Sequence, residues 1–236
     1  MHKTKLRKQG FTTIPDIYSN QEINQLIKVL DTLQSYNTNF RKTKDLFAIR
    51  KFLKEVPEIK NSVLNNNLKQ LIEDYFGKNY FLVKSIYFDK PPSSNWFVSY
   101  HQDLSVSVNK KTIVDGYTNW TVKKEQYGVQ PPLEILENIY TIRIHLDDTN
   151  KSNGALKVIP KSHTKGIYRP ETIDWKIEKA IICDVPRGGV MLMQPLLLHS
   201  SNRTTNNQRR RVIHLEFSNK QLAKDIEWAE KAKIDI

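Results

Sequence analysis

The chain has 236 residues, 39% apolar and 26% charged, enough to bury a sizeable core and too apolar for a disordered chain. No run approaches the ~18–20 apolar residues of a membrane span. Its single cysteine, Cys183, excludes an intrachain disulfide framework, a Cys-rich zinc site and an iron–sulfur cluster. Lys and Arg outnumber Asp and Glu by 37 to 25, a net charge of +12, which attracts nucleic acid, membrane headgroups or acidic small molecules. The basic N-terminus is not followed by an apolar stretch, so a secretory signal is not expected and the location expected is cytoplasmic.

No repeat, low-complexity tract or Gly/Ser linker divides the sequence. A single domain over 1–236 is expected, with a helical N-terminal part (1–78), a strand-rich core (79–219) and a C-terminal helix (220–236). Ser19 and Glu22 have capping-box spacing, and Ile23, Leu26, Ile27, Leu30 and Leu33 then fall on one helical face. A second helix is predicted over 62–76, with Leu64, Leu68, Leu71, Ile72 and Phe76 as its stripe and Gly77 as its stop. From residue 79 the pattern changes to short strands: 80–88, 96–101, 140–146, 156–159, 181–185, 190–199 and 210–217. Turn-like stretches separate them, which argues for a mainly β antiparallel sandwich or barrel with flanking helices. A last helix is predicted over 221–233.

Two strands carry further information. Over 140–146, Ile142, Ile144 and Leu146 share one face and Thr141, Arg143 and His145 the other. Over 209–217, Ile213, Leu215 and Phe217 oppose Arg210, Val212, His214 and Glu216. Either the polar faces meet water, as in a simple sandwich, or the apolar faces lie under the N-terminal helices and the polar faces line a wet cavity.

The strand 96–101 ends in His101-Gln102-Asp103. On an extended chain His101 and Asp103 point to one side, so an imidazole and a carboxylate can reach one metal. The strand 190–199 ends in His199. Two His and one carboxylate form the facial triad of non-heme Fe(II) oxygenases, which leaves three coordination positions open. Eleven residues on, Arg210 can hold a carboxylate through two hydrogen bonds, and the Ser201 hydroxyl can join it. Alternation separates Arg210 from Arg209 and Arg211, which are expected near the sheet edge, against solvent or helix ends.

The sequence resembles the phytanoyl-CoA dioxygenase family of Fe(II)/2-oxoglutarate-dependent oxygenases. The resemblance rests on Gly10-Phe-Thr-Thr-Ile-Pro-Asp16, Trp96-Phe-Val-Ser-Tyr-His-Gln-Asp103, Thr141-Ile-Arg-Ile-His-Leu-Asp-Asp148, Asn153-Gly-Ala-Leu-Lys-Val-Ile-Pro-Lys-Ser-His163, the stretch from Gly189 to His199, and Arg210. It runs through nearly the whole chain in the expected order, with Lys161 where the family usually has Gly, a departure expected to affect a turn. It implies a double-stranded β-helix (a cupin-like jelly roll) with the N-terminal helices packed on the larger sheet. It also implies Fe(II) on His101, Asp103 and His199, the C5-carboxylate of 2-oxoglutarate on Arg210 and Ser201, and Trp120 over the cosubstrate. The activity implied is hydroxylation or another oxidation of an unactivated C–H bond, with O2 and 2-oxoglutarate consumed and succinate and CO2 released. Related halogenases lack the carboxylate that Asp103 supplies.

Residues 104–139 form a long insertion, read as part of a substrate lid. Lys84, Gln102 and Arg143 are candidate contacts for a small polar or anionic substrate. His163 is expected to end a turn and His2 to belong to a frayed terminus. His145 and His214 are each read either as satisfied core histidines or as substrate contacts. Two other classes remain as alternatives. A nucleic-acid-modifying dioxygenase would suit the charge, but no basic stretch is interleaved with stacking aromatics. A non-catalytic cupin-type metabolite-binding barrel would predict a missing ligand.

Overall fold

The computed structural model describes residues 1–33, 37–123 and 126–234. The N-terminal part contributes α1 (His2–Gln9), β1 (Phe11–Ile14), α2 (Asn20–Asp31), β2 (Phe40–Lys42), β3 (Phe47–Arg50), α3 (Phe52–Glu55), α4 (Lys60–Val63) and α5 (Asn66–Tyr75). Then follow β4 (Phe81–Lys90), β5 (Val98–His101), β6 (Val106–Val108), β7 (Thr118–Lys123), β8 (Gln126–Gln130), α6 (Leu133–Glu137) and β9 (Ile139–His145). The chain continues through β10 (Leu156–Val158), β11 (Ile181–Ile182), β12 (Val190–Met193), β13 (His199–Ser201) and β14 (Arg210–Ser218).

The strands build a jelly roll of two antiparallel sheets. The major sheet has the order β1-β12-β9-β14-β4-β3-β2 and the minor sheet β11-β10-β13-β5. Phe11, Met191 and Met193 of the major sheet pack against Leu156, Val158 and Leu197, closing one end of the space between the sheets. The outer face of the major sheet carries Ile142, Ile144, Ile213, Leu215 and Phe217. These are buried in one cluster with Ile23, Leu26 and Leu30 of α2 and Leu68 and Ile72 of α5. Of the two readings of the alternating strands, the helix-covered one holds, and the polar faces look inward.

Local chemistry accounts for the helix starts. The Ser19 hydroxyl accepts from Glu22 N at 3.2 Å and the Glu22 carboxylate accepts from Ser19 N at 2.8 Å, so both ends of the capping box are made. The helix predicted over 62–76 begins only at Asn66. Asn65 is its cap, accepting from Leu68 N at 2.9 Å, and an Asx cap requires extended rather than helical backbone. Gly77, at φ 106°, ends it as expected.

Several expectations need correction. The N-terminal part is not only helical: β1 lies on one edge of the major sheet, and β2 and β3 on the other. His2 is not frayed but opens α1, with Nδ1 3.1 Å from Thr12 Oγ1. The strand predicted over 190–199 is two strands in different sheets. Proline brings no N–H to a ladder. The chain turns at Gln194–Leu197 (Leu197 N to Gln194 O, 3.0 Å), and Leu196, Leu197 and Leu198 feed three separate apolar clusters.

Residues 221–234 form no helix. This segment lies across strand edges instead, pairing Ala232 with Leu82 and Trp228 with Val108. The Glu230 carboxylate accepts from Ser85 N at 3.1 Å. Tertiary pairing has overridden an amphipathic composition. The insertion 104–139 folds into a third sheet, β6-β8-β7, followed by α6. It packs Val106, Val108, Val129 and Leu136 against Trp228 and Ile226. No helix among the described residues is long and apolar enough to cross a membrane.

Candidate active site

β5 and β13 are neighbours in the minor sheet, and His101 pairs directly with His199. Asp103 follows β5, its N–H held by the Pro195 carbonyl at 2.9 Å. Asp103 Oδ1 lies 3.7 Å from His101 Nε2, and Oδ2 lies 3.7 Å from His199 Nε2. One ligand atom from each of the three residues lies within 4.8 Å of the others, the geometry of a divalent-metal site with open positions.

Both rings are aimed by the backbone. His101 Nδ1 is 2.9 Å from Ser99 O, and His199 Nδ1 is 2.9 Å from Leu197 O. A carbonyl can only accept, so each Nδ1 carries the proton and each Nε2 presents its lone pair to the centre. Burial above all pushes the His199 imidazole down to about 4, leaving it a neutral ligand at physiological pH. Burial works against charge on Asp103, but His199, His214, Lys84 and His101 outweigh it and hold the carboxyl well below its usual range.

The three residues open onto a cavity of ≈200 Å³ between the sheets, shared with Lys84, Ile86, Phe88, Trp96, Arg143, Ser201, Arg210, His214 and Glu216. Arg210 is 4% exposed, and its Nε and Nη1 have no hydrogen-bond partner. Burial, and then Arg143, pushes its guanidinium down to about 9. A buried guanidinium with orphaned donors costs several kcal/mol unless an anion meets it, so the donor set fits a carboxylate supplied by a ligand. Ser201 Oγ, from the minor sheet across the same cavity, donates to Gly154 O at 2.9 Å. The neighbouring arginines are matched instead. Arg209 grips Asp89 (Nη2 to Oδ2, 2.6 Å), and Arg211 grips Asp147 (Nη2 to Oδ1, 2.7 Å). Both reach toward Asp31 at the end of α2, the expected helix-end contact. Arg211, however, is buried rather than at a solvent edge.

A row of side chains crosses the major-sheet floor. Lys84 Nζ is 2.9 Å from Glu216 Oε1, which is 2.9 Å from His214 Nε2, and His214 Nδ1 is 3.1 Å from Arg143 Nη1. A guanidinium can only donate, so His214 Nδ1 accepts and its proton sits on Nε2, facing Glu216. His214 is a satisfied cavity-wall residue. Asp103, His214 and Glu216 also approach one another closely enough for a metal, but Lys84 and Arg143 already supply the cations there.

The other candidates fall elsewhere. Gln102 lies between two ligands and faces away from them. Its amide donates to Gly166 O and Leu196 O and accepts from Tyr168 N, so it is structural. Trp120 packs against the apolar cluster of the third sheet, away from the cavity. Trp96 lines the cavity instead, stacked on Phe88 with centroids 6.2 Å apart. Trp96 is two residues before Val98, another lining residue, and that parity was its signal. His145 is a core histidine, with Nδ1 2.7 Å from Thr149 Oγ1. His163 does more than end a turn: its Nε2 lies 3.1 Å from Arg7 O, tying α1 to the core. Lys161 takes φ 68°, a conformation that suits the Gly expected there.

A family model described as Phytanoyl-CoA dioxygenase (PhyH) matches residues 6–212. No curated protein sequence matches the chain. Among solved structures, one similar to it is the non-heme alpha ketoglutarate dependent epimerase SnoN from nogalamycin biosynthesis: TM-score 0.67, 12% identity, 92% of this chain and 81% of the other. AviO1 from Streptomyces viridochromogenes Tue57 gives TM-score 0.64, 17% identity and coverages of 92% and 93%. HygX from Streptomyces hygroscopicus, solved with nickel, 2-oxoglutarate and hygromycin B, gives TM-score 0.65, 15% identity and coverages of 92% and 86%. Matched to the family model over most of its length, the chain belongs to the phytanoyl-CoA dioxygenase family, whose members are Fe(II)/2-oxoglutarate-dependent oxygenases.

Proposed function

We propose that the chain hydroxylates a C–H bond of a small polar or anionic molecule, with Fe(II) on His101, Asp103 and His199 and the far carboxylate of 2-oxoglutarate on Arg210 and Ser201. One observation carries the reading: two imidazole lone pairs and a carboxylate converge at one end of a cavity, and a buried guanidinium with orphaned donors stands on another wall. When bound, Fe(II), O2 and 2-oxoglutarate supply the oxidising power, with succinate and CO2 as coproducts.

The chain's own residues bind, orient and exclude water. Ser99 O and Leu197 O fix the two imidazoles, so no reorganisation is needed when metal arrives. Asp103 would give the metal the carboxylate ligand that related halogenases lack, which favours hydroxylation. Phe88, Trp96, Ile86 and Leu156 make the rest of the wall apolar, which keeps water from the bound cosubstrate. Arg143, which has no acidic partner at salt-bridge distance among the described residues and whose Nε is without a hydrogen bond, supplies positive charge on the cavity floor, and this supports the polar or anionic character of the substrate. Lys84 and Ile86 also line a second recess of ≈90 Å³, walled by Ser107, Val108, Gln126 and Tyr127. We assign that edge of the 104–139 insertion to the substrate's entry side. Cys183, buried and unpaired, supports a reducing, cytoplasmic location.

The test is an anaerobic titration of the Fe(II)-loaded protein with 2-oxoglutarate. A metal-to-ligand charge-transfer band should appear, and succinate should form once O2 is admitted. No band in the wild type, or an unchanged band in His199→Ala, would sink the reading.

A further inference from the structure

The inner faces of β4 and β14 meet as four directly opposed pairs: Lys84 with Glu216, Ile86 with His214, Phe88 with Val212, and Lys90 with Arg210. At one end the pair is of opposite charge and joined by an ion pair. At the other it is of like charge and buried, with Lys90 1% and Arg210 4% exposed. Like charges directly opposed across strands destabilise a sheet, and burial removes the water that would screen them. The flanking residues show that this sheet otherwise matches its charges: Asp89 takes Arg209 and Asp147 takes Arg211. Lys90 and Arg210 have no acid among the described residues at salt-bridge distance. Lys90 Nζ donates to Asn202 O at 2.6 Å. It fills a corner that only glycine permits, since a Cβ on Gly154 would stand 2.8 Å from Nζ and 3.4 Å from Ser201 Oγ.

We propose that Lys90 and Arg210 form a two-cation seat for the far carboxylate of the cosubstrate, and that filling the seat is coupled to uptake of one proton by the Lys90 amine. The inference rests on the cosubstrate reading above. The missing counter-ion of the like-charged pair is external: a carboxylate on Arg210 and Ser201 supplies the negative charge the corner lacks. Several groups bear on the amine. Burial first, then Arg210 across the strand pair, holds it down to about 7, and Asp45 from the β2–β3 turn pulls the other way. The Asn202 carbonyl, Ser201 hydroxyl and Gly154 backbone complete the corner and carry no charge. Above pH 7 the empty seat therefore holds an uncharged amine. The arriving carboxylate raises its proton affinity, and one proton passes from solvent to the nitrogen lone pair, giving the ammonium. Each unit of pH above 7 then weakens cosubstrate binding by up to about tenfold, because binding takes up a proton.

The experiment is calorimetry of the anaerobic Fe(II) holoenzyme at pH 8 in two buffers of different ionisation enthalpy. The probes are 2-oxoglutarate and pyruvate; pyruvate presents the same 2-oxo acid to the metal but no far carboxylate. The wild type should take up close to one proton more with 2-oxoglutarate than with pyruvate. Lys90→Met and Lys90→Arg should both show no such difference and a Kd for 2-oxoglutarate that is flat between pH 7 and 8, where Arg210 keeps its proton. Lys90→Arg keeps the charge, so it tests the coupling even if the methionine variant folds poorly. Equal proton counts for the two probes in the wild type, or the same difference in Lys90→Arg, would overturn the coupling while the charge-transfer band stands. A missing band in the wild type would overturn the cosubstrate reading as well.

Discussion

The two sheets hold their functional groups in different ways. In the minor sheet, His101 and His199 are each fixed by the carbonyl two residues earlier in the chain. That arrangement uses backbone carbonyls alone, so it needs no particular side chain at positions 99 and 197 to aim the rings. In the major sheet, Lys84, Glu216, His214 and Arg143 hold one another through side chains on three strands. Each charge there depends on a partner contributed from far away in sequence. A metal site needs two lone pairs at fixed angles, and local backbone supplies that most rigidly. An anion site needs net charge, which survives burial only with a counter-charge or with a vacancy left for a ligand.

The largest expected effect breaks the minor-sheet side. His199→Ala should weaken Fe(II) binding well beyond the roughly 10–100-fold that outer hydrogen-bond partners command, as read by anaerobic metal titration. Leu197→Ala removes a core side chain but keeps the carbonyl that orients His199. Its metal affinity should stay within about threefold of wild type while its stability falls by about 2–5 kcal/mol.

The next effect separates the three arginines of the major sheet. Arg210→Ala should lose about 2–5 kcal/mol of cosubstrate binding, roughly thirty-fold or more in Kd, followed on the charge-transfer band. Arg209→Ala and Arg211→Ala should change that Kd by less than about threefold. Arg211→Ala should instead lower the unfolding midpoint in urea, because it leaves half-buried Asp147 without its guanidinium partner. Equal losses of binding in all three would replace the single-arginine seat with a diffuse basic patch.

A smaller effect concerns the C-terminal segment on β4. Burial pushes the Glu230 carboxyl up from its ordinary value of 4.5 to about 7. An acid whose folded value is raised contributes stability that is fully present below 4.5 and lost as pH rises through about 7. The wild type should therefore lose about 1–3 kcal/mol relative to Glu230→Gln between pH 5 and 8, measured by urea unfolding at both pH values. The smallest effect lies at the turn after β10. Lys161→Gly relieves a left-handed residue worth roughly 1–2 kcal/mol, partly offset by glycine's freedom in the unfolded chain. A small rise in thermal midpoint is expected.

The legible part of the sequence was whatever follows from period two. His101, Asp103, His199, Ser201 and Arg210 all share the cavity, and the inward-facing registers of β9 and β14 are as alternation predicts. The same rule places Gln102 on the opposite side from His101 and Asp103, so its polar amide misled where its parity did not. Trp120 lies in a region whose fold depends on pairing with residues 227–229, contacts that no local pattern encodes. The segment 221–233 has helical composition, but its backbone donors go to strand edges. The break at Pro195 was visible as a proline, but the assignment of its two halves to opposite sheets depends on their distant partners. Lys90 was missed because a lone lysine at a strand end gives no sign that its cross-strand partner is an arginine.

The position of β14 has a consequence for how the molecule comes together. It sits between β9 and β4 in the middle of the major sheet, yet it is the last strand of that sheet to emerge in the chain. Until residues 210–218 arrive, β4 and β9 each present an open edge, the condition under which nascent chains pair with the wrong partner. Closing the sheet and bringing Arg210 to Lys90 are therefore one event, and the like-charged pair opposes it. A ligand that binds only the closed form shifts the folding equilibrium by mass action. The concentration of cosubstrate would then govern not only how fast the enzyme turns over but how much of it persists folded.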